Sequence, residues 1–386
     1  MVIINKMNLK LKLKKLNIII ISSLILNYDN LFADVNLLNL DDVPAQCAAV
    51  IDLETGRLLY GKNENKRAAM ASTTKIMTAL ITLEQDNLDS YFEVDPDAIK
   101  VEGTSMGLLA GDKVSLRSLA VGMLLPSGND AAQAAAIKIA GNKNSFLNIM
   151  NEKASLFGCT NTNFATTSGL DDKNHYSTAS DMAKIARRAL LNDDFAKICQ
   201  QQYMTIEYGN PPYKRTLKNH NKLLSRYDYC VGVKTGFTDD AGRCLVSAAK
   251  KDGLGLIVVT LKSANICESH LDVYQQAFEK LSKYTPSVKL PVNNIKVVGG
   301  EIVSVPIEKQ FETKIPVIDG EIKKISHKIK LKKFLFAPIR NKSVVGEIDY
   351  YIENKKIAVE PIITSMEVRP EEKNNFFNKI FKNIKK

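Results

Sequence analysis

The chain has 386 residues, 45% hydrophobic and 25% charged, with a formal net charge of +11. This composition excludes a disordered or repetitive chain, and the length allows two domains around a large core. The charge does not argue for nucleic acid: residues 1–33 carry +4 and the last sixteen +3, leaving +4 on everything between, with no basic–aromatic stripe or zinc-type spacing.

In chain order, residues 6–15 (KMNLKLKLKK) hold five lysines and no acid, LNIIIISSLIL (16–26) is apolar, and LFA ends at Ala33. A basic start, a short apolar run and a small-residue end make residues 1–33 an export signal. The apolar run is short for a bilayer span. The alternative is an uncleaved N-terminal anchor, and a start at Met7 would shorten the basic region. Both readings place the body of the protein outside the cytoplasmic membrane.

QCAAVIDL (46–53) and RLLYG (57–61) flank Glu54-Thr55-Gly56 as a hairpin. A mostly helical stretch follows. TTKIMTALITLEQ (73–85) is apolar on nearly every side, which predicts a buried helix. SLRSLAVGMLL (115–125) stops at Pro126, DAAQAAAIKIAG (130–141) closes on Gly141, and STASDMAKIARRALL (177–191) opens with capping hydroxyls. Strand character returns at 230–236, 243–249 and 255–261. Asp252-Gly253 is the turn between the last two, and a helix at about 267–283 closes the unit. Strands, then helices, then strands predict an α/β fold whose antiparallel sheet is completed by distant segments.

From about residue 286 the composition shifts to short alternating strands separated by Gly, Pro and Asn, which predicts a small all-β domain over 286–368. In the final stretch, 369–386, Phe376, Phe377, Ile380, Phe381 and Ile384 fall on one helical face, with five lysines around the remainder. Residues 371–386 then read as an amphipathic helix lying in the membrane interface and drawn to anionic lipid; a helix docked on its own protein is the alternative. The six cysteines are widely spaced with no C-x-x-C pair, so they are predicted to be free and mostly buried.

Three short motifs carry the candidate chemistry. Ser72-Thr73-Thr74-Lys75 sits at a helix start, Ser127-Gly128-Asn129 lies between two helices, and Lys234-Thr235-Gly236 ends a strand, with first positions 55 and 107 residues apart. A serine hydroxyl is a poor nucleophile without a base in contact. Residues at i and i+3 of a helix share a face, with Cβ atoms about 5–6 Å apart, so Lys75 can reach Ser72. A lysine is a base only when neutral. Burial and a nearby cation both lower its pKa, and Lys234 is the obvious cation; the helix N-terminus acts in the same direction. Each motif alone has a bland reading, as a cap, an interhelix turn or a strand end. The second Ser-x-x-Lys, Ser247 to Lys250, lies in a strand of period two, so its members point to opposite faces and it is structural.

The three motifs in this order resemble the serine-type D-alanyl-D-alanine carboxypeptidases, the low-molecular-mass penicillin-binding proteins. The stretches AVIDLETGRLLYGKN, SGNDAA, TSGLDDKNHYSTASDMAKIA and VKTGFTDDAGRCLVSAAK also look like that family. The resemblance implies a penicillin-binding/serine β-lactamase-like α/β catalytic domain over 34–285, a small β-rich domain and the amphipathic tail. It implies that Ser72 attacks the peptide bond between two D-alanines of a peptidoglycan stem peptide, that Lys75 is its base and that Ser127 relays a proton to the leaving amine. Asn129 would hold the substrate amide, Lys234 and Thr235 its carboxylate, and Gly236 would permit close approach. The backbone N–H groups of Ser72 and Phe237 would form the oxyanion hole. β-Lactams would be covalent inhibitors, and no metal or cofactor is implied.

The chain departs from the pattern at one place. Some relatives carry a carboxylate-binding arginine before the closing helix, where this chain has Cys267-Glu268-Ser269-His270, with His270 as a weak substitute. A β-lactamase reading is disfavoured because Glu152 is the only glutamate between residues 130 and 206 and lacks an E-x-x-L-N context. An endopeptidase or transpeptidase on the same fold, or a non-catalytic wall-binding protein, are the remaining alternatives.

Overall fold

The computed structural model describes residues 37–371. The export signal expected over 1–33 and nearly all of the amphipathic tail lie outside them. The described chain forms two compact units: the first runs to Lys283 and includes Pro316–Asp319, and the second comprises Tyr284–Ile315 and the residues from Gly320 onward.

The first unit begins with the hairpin of β1 (Ala45–Asp52) and β2 (Leu58–Lys62). Its turn is shaped by Asp52, whose carboxylate accepts the Thr55 N–H at 2.6 Å and the Thr55 hydroxyl at 2.7 Å, a local bond that Asp favours in turns. A single 3-10 turn, Ala71–Thr74, leads into α1 (Lys75–Leu83), and all nine residues of α1 are buried. Its threonines are satisfied inside: Thr78 donates to the Thr167 carbonyl at 2.6 Å and Thr82 to the Thr78 carbonyl at 2.8 Å. A buried hydroxyl without such a partner costs about 1–3 kcal/mol, so α1 is central without an orphaned polar group on either threonine.

Strands β3 (Tyr91–Glu93) and β4 (Lys113–Ser115) precede α2 (Leu116–Leu124), whose N-cap Ser115 accepts the Ser118 N–H at 3.1 Å. Then come α3 (Asn129–Ala140), ended by Gly141 at φ +77°, and α4 (Lys143–Leu156). Helix α5 (Ala179–Leu190) is capped by Thr178, which accepts the Asp181 N–H at 3.0 Å, and α6 (Asp193–Cys199) follows. Strands β5 (Tyr203–Gly209) and β6 (Pro212–Lys218) join β3 and β4 in a four-stranded sheet. The sequence pattern does not announce this sheet.

The last part of the unit supplies β7 (Cys230–Thr238), β8 (Gly242–Lys251) and β9 (Leu254–Ser263), then α7 (Ile266–Lys280). The five-stranded sheet has the order β2-β1-β9-β8-β7, antiparallel throughout. The expected completion by distant segments is therefore the β1–β9 pairing, with Ala49 opposite Val259. Asp252 and Gly253 both have positive φ, as a two-residue hairpin turn demands. Helix α5 packs on β1 and β9 and α7 on β8 and β9, and two separate apolar clusters occupy the two faces of the sheet. Strand β7 is left at the edge, with its terminal residues free to line a site. All six cysteines lie among the described residues and none forms a disulfide; four of them are buried.

Among the described residues the second unit is all-β apart from one short 3-10 turn. Its strands are β10 (Asn294–Val298), β11 (Ser304–Lys309), β12 (Ile325–Leu331), β13 (Phe334–Phe336), β14 (Val344–Ile352) and β15 (Lys355–Thr364). They form one sheet in the order β12-β14-β15-β11-β10-β13. In its core Tyr350 donates to the buried carboxylate of Glu360 at 2.5 Å.

Candidate active site

Ser72 is the second residue of the 3-10 turn, and Lys75 opens α1 directly behind it. Lys75 Nζ lies 2.8 Å from Ser72 Oγ and 2.8 Å from the carbonyl of Ser168. Lys75 is wholly buried, and burial, assisted by the nearby Lys234, holds its pKa well below the ordinary lysine value. Lys234 on β7 is also buried, which pulls its pKa down to about 7; its Nζ donates to the Thr235 carbonyl at 2.8 Å. Desolvation penalises charge on both amines, their mutual repulsion disfavours the doubly charged pair, and the shift is the larger at Lys75. The pair therefore ionises unequally, with Lys75 the neutral member in contact with the hydroxyl.

The turn is braced from behind. Thr74 Oγ1 donates to the Ala71 carbonyl at 2.7 Å and accepts from His175 Nε2 at 2.7 Å. The histidine tautomer follows from its other nitrogen, Nδ1, which accepts the backbone N–H groups of Ala165 and Thr166. Burial lowers the His175 pKa to about 4, so the ring is a neutral strut. The loop that supplies Ser168 passes so close that a Cβ on Gly169 would lie 1.9 Å from the Ala71 oxygen, and the Gly169 φ is +94°. Only glycine meets both demands.

Ser127 and Asn129 enter from the turn between α2 and α3. Ser127 is buried at φ +66°, a left-handed conformation rare outside glycine and most common where function requires it. Asn129 Nδ2 donates to the Glu102 carbonyl at 2.7 Å. A carbonyl demands a donor, so this bond orients the amide and leaves Asn129 Oδ1 buried with no partner among the described residues. An orphaned acceptor of this kind suits an incoming amide N–H. The loop opposite is organised by Asp130, whose buried carboxylate accepts from the Ser105 hydroxyl and the N–H groups of Met106, Gly107, Leu108 and Ala131.

Strand β7 closes the other side. Gly236 lies against the nucleophile turn: a Cβ there would sit 2.9 Å from the Ser72 nitrogen. At the strand end Thr238 donates to Asp171 at 2.6 Å. Ser72, Ser127, Asn129, Thr235, Gly236 and Phe237 all line one cleft of about 720 Å³, with the two lysines buried in its wall. The eight residues singled out in the sequence are thus brought together.

The expectation for His270 is corrected. It is fully buried on the inner face of α7, bonded to Ser247 at 2.6 Å and Thr260 at 2.9 Å, and burial holds its pKa to about 3. It cannot offer a cation to the cleft. The spacing His270, Val273, Tyr274, Ala277 is that of a buried helix face and was the available signal. The same bond explains the second Ser-x-x-Lys: Ser247 faces inward to His270 and Tyr274, while Lys250 is exposed.

Cleft cations that the motifs do not reveal are Lys222, Arg226 and Arg243. Arg226 is held by Glu268 at 2.8 Å. Arg243 is exposed and pairs across the strands with Phe237, while Thr235 pairs with Leu245. Arg243 and Thr235 are therefore diagonal neighbours on one sheet face, on the order of 7–8 Å apart and within reach of a long side chain.

Comparison with known proteins agrees with this geometry. The family described as D-alanyl-D-alanine carboxypeptidase matches residues 34–265, and the C-terminal domain of penicillin-binding protein 5 matches residues 287–370. The chain is 30% identical to the D-alanyl-D-alanine carboxypeptidase DacF of Bacillus subtilis over 84% of its own length and 86% of that protein's. Its fold is similar to penicillin-binding protein 5 from Haemophilus influenzae, with TM-score 0.66 and 28% identity over 85% of this chain and 98% of that one. It is also similar to the Streptomyces K15 DD-transpeptidase, with TM-score 0.59 and 32% identity over 62% and 99% of the respective chains. This chain belongs to the D-alanyl-D-alanine carboxypeptidase family of penicillin-binding proteins.

Proposed function

We propose that this protein is a serine-type carboxypeptidase that removes the terminal D-alanine from peptidoglycan stem peptides, and that it acts outside the cytoplasmic membrane. The observation that carries the reading is the 2.8 Å contact between Ser72 Oγ and the buried Lys75 amine. Ser72 Oγ attacks the carbonyl carbon of the penultimate D-alanine, and its proton passes to Lys75 Nζ. The negative charge on the carbonyl oxygen is met by the N–H groups of Ser72 and Phe237. The C–N bond then breaks, and the proton held by Lys75 passes through the Ser127 hydroxyl, with Lys234 nearby, to the leaving amine, which leaves Lys75 neutral again. Water attacks the resulting ester, Lys75 accepts its proton and returns it to Ser72 Oγ as the acyl C–O bond breaks, and the shortened peptide leaves. A β-lactam undergoes the same attack, but its leaving nitrogen stays tethered.

The orphaned Asn129 Oδ1 suits the substrate amide N–H. Thr235 and Lys234 take the terminal carboxylate, and Arg243, which has no ion-pair partner among the described residues, joins them in place of the arginine that some relatives carry before the closing helix. The positive cleft also favours encounter with an anionic peptide.

A pentapeptide ending in D-Ala-D-Ala tests the reading: release of free D-alanine by the wild type and none by Ser72→Ala is expected. No release by folded wild type would leave a non-catalytic wall-binding protein. The likeness to a DD-transpeptidase favours a second reading in which an amine replaces water as acceptor; a cross-linked dimer in the same assay would reveal it.

A further inference from the structure

The second unit carries an apolar face that is exposed among the described residues. In β10 the alternation buries Ile295 and Val297 and exposes Lys296 and Val298. In β13, paired in parallel with it, Leu335 is buried while Phe334 and Phe336 point outward. Register places Phe334 beside Lys296 and Phe336 beside Val298. The two phenyl rings stack edge to face with centroids 5.4 Å apart. Phe336 is 68% exposed, Phe334 51% and Val298 49%. Isolated exposed apolar residues are ordinary, but contiguous ones mark an interaction surface.

We propose that this face of β10 and β13 is a membrane-contact surface that seats in an anionic bilayer interface beside residues 372–386. Three observations select lipid over another protein. First, the last described residues lie beside the end of β10: Gly300 bridges Pro370, and the Glu371 N–H donates to the Gly299 carbonyl at 3.0 Å, one residue beyond Val298. Residues 372–386 then read EKNNFFNKIFKNIKK, in which aromatic and aliphatic residues alternate with lysines. Second, Lys296, Lys332 and Lys333 adjoin the phenylalanines, an arrangement in which stems lie on apolar surface and ammonium groups reach acidic headgroups. Glu301 and Glu371 flank the exit itself, so the lysines of the strands and of 372–386 carry that attraction. Third, β13 is only three residues long and bounded by lysines and Pro338, features that discourage an added strand at a sheet edge. The side chains, not the backbone edge, are offered. The proposal rests on the reading of an enzyme outside the cytoplasmic membrane but makes no use of its catalytic residues.

The chain has no tryptophan, so Phe336→Trp introduces a single reporter at an exposed position. In the chain from Asp34 onward, mixed with vesicles of phosphatidylglycerol and phosphatidylcholine, its emission should shift to the blue and be quenched by brominated lipid. A control variant, Tyr203→Trp, at an exposed position in the first unit should show neither. The double variant F334S/F336S should weaken vesicle partition about tenfold with residues 372–386 intact. Vesicle binding by Phe336→Trp with no shift in its emission would overturn the proposal and leave residues 372–386 as the whole contact. A blue shift that needs no vesicles and grows with protein concentration would also overturn it, in favour of a protein–protein surface. Fluorescent-penicillin labelling of the same samples reports separately on the catalytic reading.

Discussion

Gly236→Ala is the most informative perturbation of the cleft because its effect can be worked from distances. An added Cβ would meet the Ser72 nitrogen at 2.9 Å, the Ala71 Cβ at 3.0 Å and the Thr73 nitrogen at 3.1 Å, whereas ordinary contacts begin near 3.4 Å. One partner must retreat by about half an ångström, since overpacking is relieved only by movement. The nucleophile turn is pinned by Thr73 to the Met70 carbonyl at 2.6 Å, by Thr74 to the Ala71 carbonyl at 2.7 Å, and by His175. Strand β7 is at the sheet edge, so it is the strand that moves, and it takes the Phe237 N–H and the Thr235 hydroxyl with it. A misplacement of about 1 Å costs on the order of a hundredfold in rate, so half that should cost roughly tenfold or more. Stability should fall by about 1–3 kcal/mol. Stopped-flow acylation by a fluorescent penicillin, beside urea unfolding of the same samples, separates the two effects. Acylation within twofold of wild type would refute the close fit between Gly236 and Ser72.

Three further outcomes are expected from the same geometry. The pH profile of acylation kcat/KM should be bell-shaped, because Lys75 must be neutral and Lys234 charged: the rate rises as Lys75 loses its proton and falls as Lys234 loses its own, near pH 7 in the free enzyme. A rate still rising steeply through pH 8 would contradict those assignments. Arg243→Ala should raise KM for D-Ala-D-Ala peptides about tenfold, the equivalent of one charge-assisted bond, with kcat and thermal stability little changed; an unchanged KM removes Arg243 from the carboxylate site. Buried His270, with a folded pKa of about 3, stays neutral where the unfolded chain takes up a proton below about pH 6.5. Its contribution is therefore fully present above that pH and lost as pH falls toward 3. Between pH 7 and 5 the loss is about 2 kcal/mol. Denaturant unfolding of wild type and His270→Gln at both pH values checks this; equal losses in the two proteins would contradict it.

The parts of the site legible in the sequence were those encoded by local spacing. Ser72 and Lys75 lie one helical turn apart, Ser127 follows a proline stop, and Gly236 lies near the end of a strand. Their meeting was legible only through the order of the motifs. Ser168, which accepts from Lys75, and Asp130, which ties down residues 105–108, act through tertiary contacts that no periodicity announces. The four-stranded sheet was illegible for a related reason: β3 and β4 have three residues each, and their partner β5 begins at Tyr203. Such short segments carry too few alternations to register. Arg243 was illegible because its place in the cleft depends on strand register, which sets it diagonal to Thr235.

The central claim is that Ser72 is the acylated nucleophile. Intact mass and peptide mapping after incubation with benzylpenicillin test it most directly. One adduct on the peptide containing Ser72, absent from a folded Ser72→Ala variant, is the expected result. An adduct elsewhere, or undiminished labelling of the variant, would contradict the mechanism.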